Sequence, residues 1–71
     1  MSVAANMNFI WGTIANKKST MLQTENGPLK IKSIRTKAGV DMELALSDML
    51  GNLTFVTVHP NNAGEIRSKL F

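Results

Sequence analysis

Four basic side chains stand close together in residues 29–37, a stretch that otherwise consists of aliphatic and small polar residues. Lys30, Lys32, Arg35 and Lys37 supply half of the eight lysines and arginines in the chain. Because side chains alternate between faces along a β-strand, their spacing predicts a strand with a positive stripe on one face and aliphatic residues on the other. Such a stripe is able to bind phosphate groups.

Other residues can extend this stripe into a binding surface for single-stranded DNA or RNA. Lys17 and Lys18 lie in a predicted turn, and an exposed Trp11 would be able to stack on a base. The candidate nucleic-acid contacts are therefore Lys30, Lys32, Arg35, Lys37, Lys17, Lys18 and Trp11. A solvated strand whose charges pair with Asp41 and Glu43 explains the same pattern, and charged runs more often face solvent. In so small a domain, a tryptophan is also more often a core residue.

The remaining reactive side chains do not assemble into a catalytic set. Asp41 and Glu43 fall on one face of a predicted strand, opposite the basic strand, where cross-strand ion pairing is expected. His59 is the only histidine and the chain has no cysteine, so a set of residues with metal-ligand spacing is missing. Residues 12–19 miss the phosphate-binding loop motif because Lys17 replaces its second glycine. We therefore predict a non-enzymatic binding protein with no catalytic residue, metal site or cofactor.

Length and composition limit the size of the core. Seventy-one residues predict a single domain, and a domain of this size buries only about 60% of its unfolded surface. The 44% of hydrophobic residues is typical of a globular protein. Without disulfides, part of this apolar surface is expected to be buried between subunits or against a partner, and of the two we favour a homo-oligomer. The net charge of +3 favours polyanionic partners.

The sequence also carries signals of location. No apolar run approaches the ~20 residues that span a bilayer, so no membrane partner is expected. Residues 1–6 lack the features of a secretory signal and are predicted to be flexible. The absence of cysteine suits a reducing compartment. We therefore expect a cytoplasmic protein.

Apolar alternation and turn residues predict the order of the elements. Strands are predicted over residues 7–15, 20–24, 29–37 and 53–59, followed by a helix over residues 63–70. Asn62 is expected to cap this helix in a capping box with Glu65. Residues 40–50 fit both a strand and a helix. We favour a strand that ends near Ser47, because it completes a meander between its neighbours.

The turn at residues 37–39 predicts a hairpin. A three-residue loop with glycine in its last, left-handed position would place Arg35 opposite Asp41 and Ser33 opposite Glu43. Opposite charges favour this register by about 0.2–1 kcal/mol per pair. The same register also places a lysine opposite a leucine, a conflict that a bulge near Ser33 would relieve.

These elements predict an α+β, mostly β fold. We expect a small antiparallel sheet or partly open barrel of about five strands, with a short C-terminal helix, in one domain over residues 7–71. In architecture alone this is similar to the OB, SH3-like and Sm-like small barrels, which serve many functions.

The predicted C-terminal helix offers a second candidate surface. Ile66, Leu70 and Phe71 would form an apolar edge able to dock into a partner, although such a helix more often covers its own sheet. Nucleic-acid binding through the basic β surface is therefore the first functional hypothesis. The alternative is an accessory or inhibitor protein that binds another protein, or a subunit of a larger assembly.

Overall fold

The computed structural model describes residues 3–71, with side chains from residue 5 onward. Over this range the chain forms two helices and four strands, α1 (Val3–Ala15), β1 (Met21–Thr24), β2 (Gly27–Thr36), β3 (Met42–Ser47), β4 (Leu53–Val58) and α2 (Ala63–Ser68). Each strand pairs antiparallel with the next one in the sequence, so the sheet order is β1-β2-β3-β4. The predicted α+β, mostly β fold is confirmed, as an open sheet with one strand fewer than expected.

Both helices lie on one face of the sheet, and the hydrophobic core lies between them and the sheet. Strand β3 lies between β2 and β4 and contributes three buried residues to this core, Met42, Leu44 and Leu46, which alternate with half-buried ones. The remaining core residues are Met7, Ile10 and Ile14 from α1, Ala63 and Ile66 from α2, and Leu22, Ile31 and Val58 from the other strands. Burial of each large aliphatic side chain contributes about 1.5–3 kcal/mol. The opposite face of the sheet, which we call the open face, carries no helix among the described residues.

The first element is a helix, and the prediction of a strand over residues 7–15 is wrong. That prediction relied on the alternation of Phe9 and Trp11, whose side chains are 42% and 41% exposed. The buried face of α1 consists of residues three and four positions apart, Met7, Ile10 and Ile14. Tertiary packing of this stripe overrides the β propensity of the aromatic and branched residues.

The predicted flexible terminus, residues 1–6, falls partly outside the described range. Residues 1 and 2 lie outside the described residues, and α1 begins at Val3. Over residues 3–71, neither helix combines the length and the apolar character that crossing a membrane would require.

The β2–β3 hairpin has a different register from the predicted one. Its loop is residues 38–40, closed by a 2.8 Å backbone hydrogen bond between the flanking residues. Gly39 has a φ of +67° and occupies the left-handed region, as predicted. Because the loop is shifted along the chain, Arg35 pairs with Glu43 rather than with Asp41.

A bulge in β2 confirms the irregularity expected near Ser33. The register shifts between Ile31 and Ser33, so Lys32 is an extra residue without a partner of its own in β3. Ser33 pairs with Ala45 rather than with Glu43. The extra residue lets the aliphatic side chains on both sides of the bulge face the core.

The second half of the chain follows the prediction closely. The ambiguous residues 40–50 contain strand β3, which ends at Ser47 as we favoured. The predicted strand over residues 53–59 ends at Val58, and the helix predicted over residues 63–70 ends at Ser68.

Asn62 precedes α2 but does not form the predicted capping box. Its Oδ1 accepts a hydrogen bond from the His59 N–H at 2.8 Å, and its Nδ2 donates to the Thr57 carbonyl at 3.0 Å. Glu65 instead pairs with Lys69, at 2.9 Å between Oε1 and Nζ. Asn62 therefore fastens the start of α2 to the end of β4.

Residues 69–71 continue past α2 and run beside β1. The Gln23 N–H donates to the Lys69 carbonyl at 2.9 Å. Phe71 exchanges two backbone hydrogen bonds with Met21, at 3.1 and 3.4 Å. This C-terminal segment therefore covers the outer edge of β1.

Candidate nucleic-acid interface

A cleft of about 560 Å³ lies between the end of α1 and β2. It is lined by Lys17 from the turn after α1 and by Lys30 and Lys32 from β2, and we call it the lysine cleft. These three side chains are exposed. No described carboxylate lies within ion-pair distance of any of them. Ammonium groups gathered around one cavity without counter-charges attract anions.

The backbone around the cleft explains why these lysines meet. Lys17 lies in the turn after α1 and adopts the left-handed region, with a φ of 57°, and its N–H donates to the Ile14 carbonyl at 2.9 Å. Pairing along the β1 side of β2 ends at Ile31, whose N–H donates to the Thr20 carbonyl at 2.6 Å. Beyond Ile31, no strand among the described residues pairs with this side of β2. The edge of β2 at Lys32 therefore faces the turn that carries Lys17.

Arg35 and Lys37, the other members of the predicted stripe, have a carboxylate between them. The Nη2 and Nε atoms of Arg35 lie 2.5 and 2.8 Å from Glu43 Oε1. The Nζ atom of Lys37 lies 3.6 Å from Glu43 Oε2. The Glu43 side chain is 13% exposed and that of Arg35 is 72% exposed. These two cations are therefore accessible but partly neutralised.

Phe55 is an aromatic residue on the open face that the sequence analysis did not single out. Cross-strand pairing places Ser33, Ala45 and Phe55 side by side, on the same face as Lys30. Phe55 is 59% exposed. Two strand spacings of about 4.8 Å each separate Ser33 from Phe55. The sequence held one indication that Phe55 is exposed: along β4 it alternates with the residues that face the core.

Trp11, the predicted stacking residue, lies away from the lysine cleft. It lines a separate cavity of about 400 Å³ beside Thr36, Val40 and Pro60. None of the residues that line this cavity also lines the lysine cleft. The geometry therefore separates Trp11 from Lys30 and Lys32.

The three predicted partner contacts at the C-terminus have different surroundings. Ile66 is buried, and Leu70 is half-buried and packs against the core. Phe71 is 58% exposed. The helix therefore covers its own sheet, and of these three side chains Phe71 alone is available to a partner.

Asp41 and His59 form a local pair. His59 Nε2 lies 3.6 Å from Asp41 Oδ1, and His59 Nδ1 accepts a hydrogen bond from the Asn61 N–H at 3.1 Å. This pair joins the start of β3 to the end of β4. Among the described residues, no group of three or more side chains is placed to hold a metal ion.

Positive charge without a nearby carboxylate concentrates around the lysine cleft. Lys18 follows in the same turn and is exposed, although it does not line the cavity. On α2, by contrast, the hydrogen bond from Lys69 lowers the pKa of Glu65. Arg67 lies over the Phe9 ring, 3.8 Å from its centre. Arg67 of α2 and Lys69 just after it thus have local partners.

The open face and the lysine cleft together form an accessible surface rather than an enclosed site. Comparison with known proteins adds no assignment: no family model matches the chain, and no curated protein or solved structure is significantly similar to it.

Proposed function

We propose that the protein is a non-enzymatic nucleic-acid-binding protein that holds phosphates of single-stranded DNA or RNA at the lysine cleft. The proposal rests on one observation. Lys17 from the turn after α1 lines one cavity together with Lys30 and Lys32 from β2, and none of the three has an ion-pair partner among the described residues. In a chain of net charge +3 the attraction for a polyanion is strongest at such a cluster. Arg35 and Lys37 are flanking contacts in this proposal.

The open face beside the cleft favours a single strand as the ligand. Small β domains hold single strands by tracking the phosphates along a positive groove while bases stack on aromatic side chains. Phe55 offers a stacking surface about 10 Å across the sheet from Ser33, two strand spacings away. We place this activity in the cytoplasm, a reducing compartment that suits a chain without cysteine.

Fluorescence anisotropy with a labelled oligodeoxythymidylate and a matching oligouridylate tests the proposal. The variant Lys30→Gln/Lys32→Gln removes two charges from the cleft. Each phosphate contact on a single strand contributes a salt slope of about 0.7, which corresponds to roughly five-fold in affinity at 0.1 M salt. The double variant should therefore bind about 25-fold more weakly.

The matched control, Arg67→Gln/Lys69→Gln, removes the same total charge from two residues at the end of α2 that do not line the lysine cleft and are not flanking contacts. Its affinity should fall by no more than about three-fold. Equal losses in the two variants would contradict a localised site. The absence of wild-type binding at about 50 mM salt would contradict nucleic-acid binding altogether.

Binding of another protein, as an accessory or inhibitor protein or within a larger assembly, is the second candidate function. Met49 and Leu50 favour it, because they are 102% and 88% exposed in the loop between β3 and β4. A protein retained by the immobilised wild type but not by Met49→Ser/Leu50→Ser would support this candidate. Equal retention by both, or no retention, would contradict it.

A further inference from the structure

One outer edge of the sheet is covered by the rest of the chain, and the other has no described strand beside it. Residues 69–71 cover the edge of β1 through backbone hydrogen bonds to Met21 and Gln23. Strand β4, at the other edge, has β3 on one side and no described strand on the other. Its outward N–H and C=O groups are therefore available to a further strand, apart from the Thr57 carbonyl, which already accepts a hydrogen bond from Asn62 Nδ2 at 3.0 Å.

Strand β4 also lacks the features that normally protect such an edge. Exposed edges usually carry charged residues, proline or a bulge. Leu53–Val58 has neither charge nor proline, and its pairing with β3 runs through all six residues without a shift. By contrast, the open part of β2 carries both a bulge and Lys32. This difference favours a functional state in which another strand pairs with the β4 edge.

Large apolar side chains flank this edge, and hydrogen bonds order the backbone of the loop before it. Leu53 and Phe55 are 56% and 59% exposed on the open face, next to the exposed Met49 and Leu50 of the preceding loop. Asp48 organises that loop, because its Oδ1 accepts hydrogen bonds from the N–H groups of Leu50 and Asn52, both at 2.9 Å. A loop whose backbone is already ordered loses less conformational entropy on docking.

We propose that β4 pairs antiparallel with β4 of a second copy of this chain, which joins two sheets into one continuous sheet. A two-fold axis beside Phe55 would place this residue next to its own copy and Leu53 opposite Thr57 of the partner subunit. A two-fold interface requires a surface complementary to itself, and an uncharged strand meets this condition in a protein of net charge +3.

Edge pairing adds only a limited apolar area to the backbone hydrogen bonds. In a continuous sheet the open face stays exposed, so Leu53 and Phe55 are covered only along their flanks, and Met49 and Leu50 lie in the adjacent loop. The buried area is therefore expected to fall below the roughly 1,200–2,000 Å² of stable specific interfaces. The proposed dimer is a weak, reversible one.

Sedimentation equilibrium without nucleic acid tests the dimer independently of the lysine cleft. Between about 10 μM and 1 mM protein, the average mass should rise from the 7.8 kDa of the chain toward twice that value. Phe55→Lys would bring two like charges together and should raise the dimer Kd at least about ten-fold. Gln23→Lys adds the same charge at the covered edge of the sheet and should leave the Kd unchanged.

Hydrogen exchange of the wild type provides a readout that does not depend on any variant folding. Amide protection over Leu53–Val58 should increase with protein concentration, because the outward N–H groups become bonded. A monomer at about 1 mM would overturn the proposal and leave the edge to a strand of a different protein. Assemblies that grow beyond a dimer, or a dimer without added protection of β4, would overturn it as well.

Discussion

Removal of the Glu43 carboxylate should strengthen nucleic-acid binding. In the proposed interface this carboxylate competes with phosphate for Arg35 and Lys37, since it lies 2.5 Å from the guanidinium and 3.6 Å from the ammonium group. Glu43→Gln keeps the shape of the side chain and releases both cations. The change raises the net charge from +3 to +4.

The geometry sets the size of both expected effects. Surface ion pairs contribute about 0.2–1 kcal/mol each, so the loss of the two pairs in Glu43→Gln should lower the free energy of unfolding by no more than about 2 kcal/mol. Each released cation that reaches a phosphate steepens the salt slope by about 0.7 and raises the affinity roughly five-fold at 0.1 M salt. The affinity should therefore increase about five- to 25-fold.

Anisotropy titrations over a salt series measure this gain, with Glu65→Gln as the matched control. Glu65 also has a lysine partner, at 2.9 Å, but it lies on α2 and not on the open face. The control should change affinity by less than about two-fold. Equal gains in both variants would refute the local competition between carboxylate and phosphate, because they would reflect total charge alone.

Three further predictions concern the scaffold. Leu44→Ala empties a fully buried position in β3 and should cost about 2–5 kcal/mol in urea unfolding, and a loss below 1 kcal/mol would contradict the central place of β3. Gly39→Ala should destabilise by about 1 kcal/mol at its positive φ, whereas Gly12→Ala should stabilise by about 0.5–1 kcal/mol, because Gly12 lies inside α1 with open space around it. A common sign of the two changes in thermal unfolding would refute this reading. The pKa of Asp48 is lowered below its ordinary value of 3.8, mainly by the backbone hydrogen bond from Asn52, so the loop stabilisation is present above this value and lost as the pH falls through the lower folded-state pKa. Amide exchange at Asn52 should speed up in that acid range, and an identical acid transition in Asp48→Asn would show that another group is responsible.

Elements whose composition and period agree were predictable from the sequence. Strand β4 is rich in β-branched residues and ends before a proline, and β3 completes a meander between two well-defined neighbours. The bulge was predictable because a regular ladder would have placed Lys32 in the core. In these cases local propensity and global packing favour the same structure.

Features that depend on packing between distant segments were not predictable. Helix α1 contains Phe9 and Trp11, which favour β structure. It is a helix because Ile10 and Ile14 pack against a sheet formed by residues that follow it in the sequence. The register of the β2–β3 hairpin depends on a shift of its loop by one residue. That shift selects Glu43 as the partner of Arg35.

The residues of the candidate site were likewise predictable only in part. The sequence identified Lys30 and Lys32 as candidate contacts, and with Lys17 they meet in one cleft. It did not identify Phe55, because the side of the sheet that stays open is decided by where both helices pack. It also did not separate the lysine cleft from the cavity at Trp11, since the two lie toward opposite ends of a helix that was predicted as a strand.

The location of the nucleic-acid site is tested most directly by amide chemical shifts of the labelled protein during titration with an oligothymidylate. The proposed interface predicts that the largest shifts occur in residues 17–20 and 30–34, and that they disappear in Lys30→Gln/Lys32→Gln. Shifts confined to the cavity beside Trp11 and Val40, or no shifts at low salt, would contradict binding at the lysine cleft.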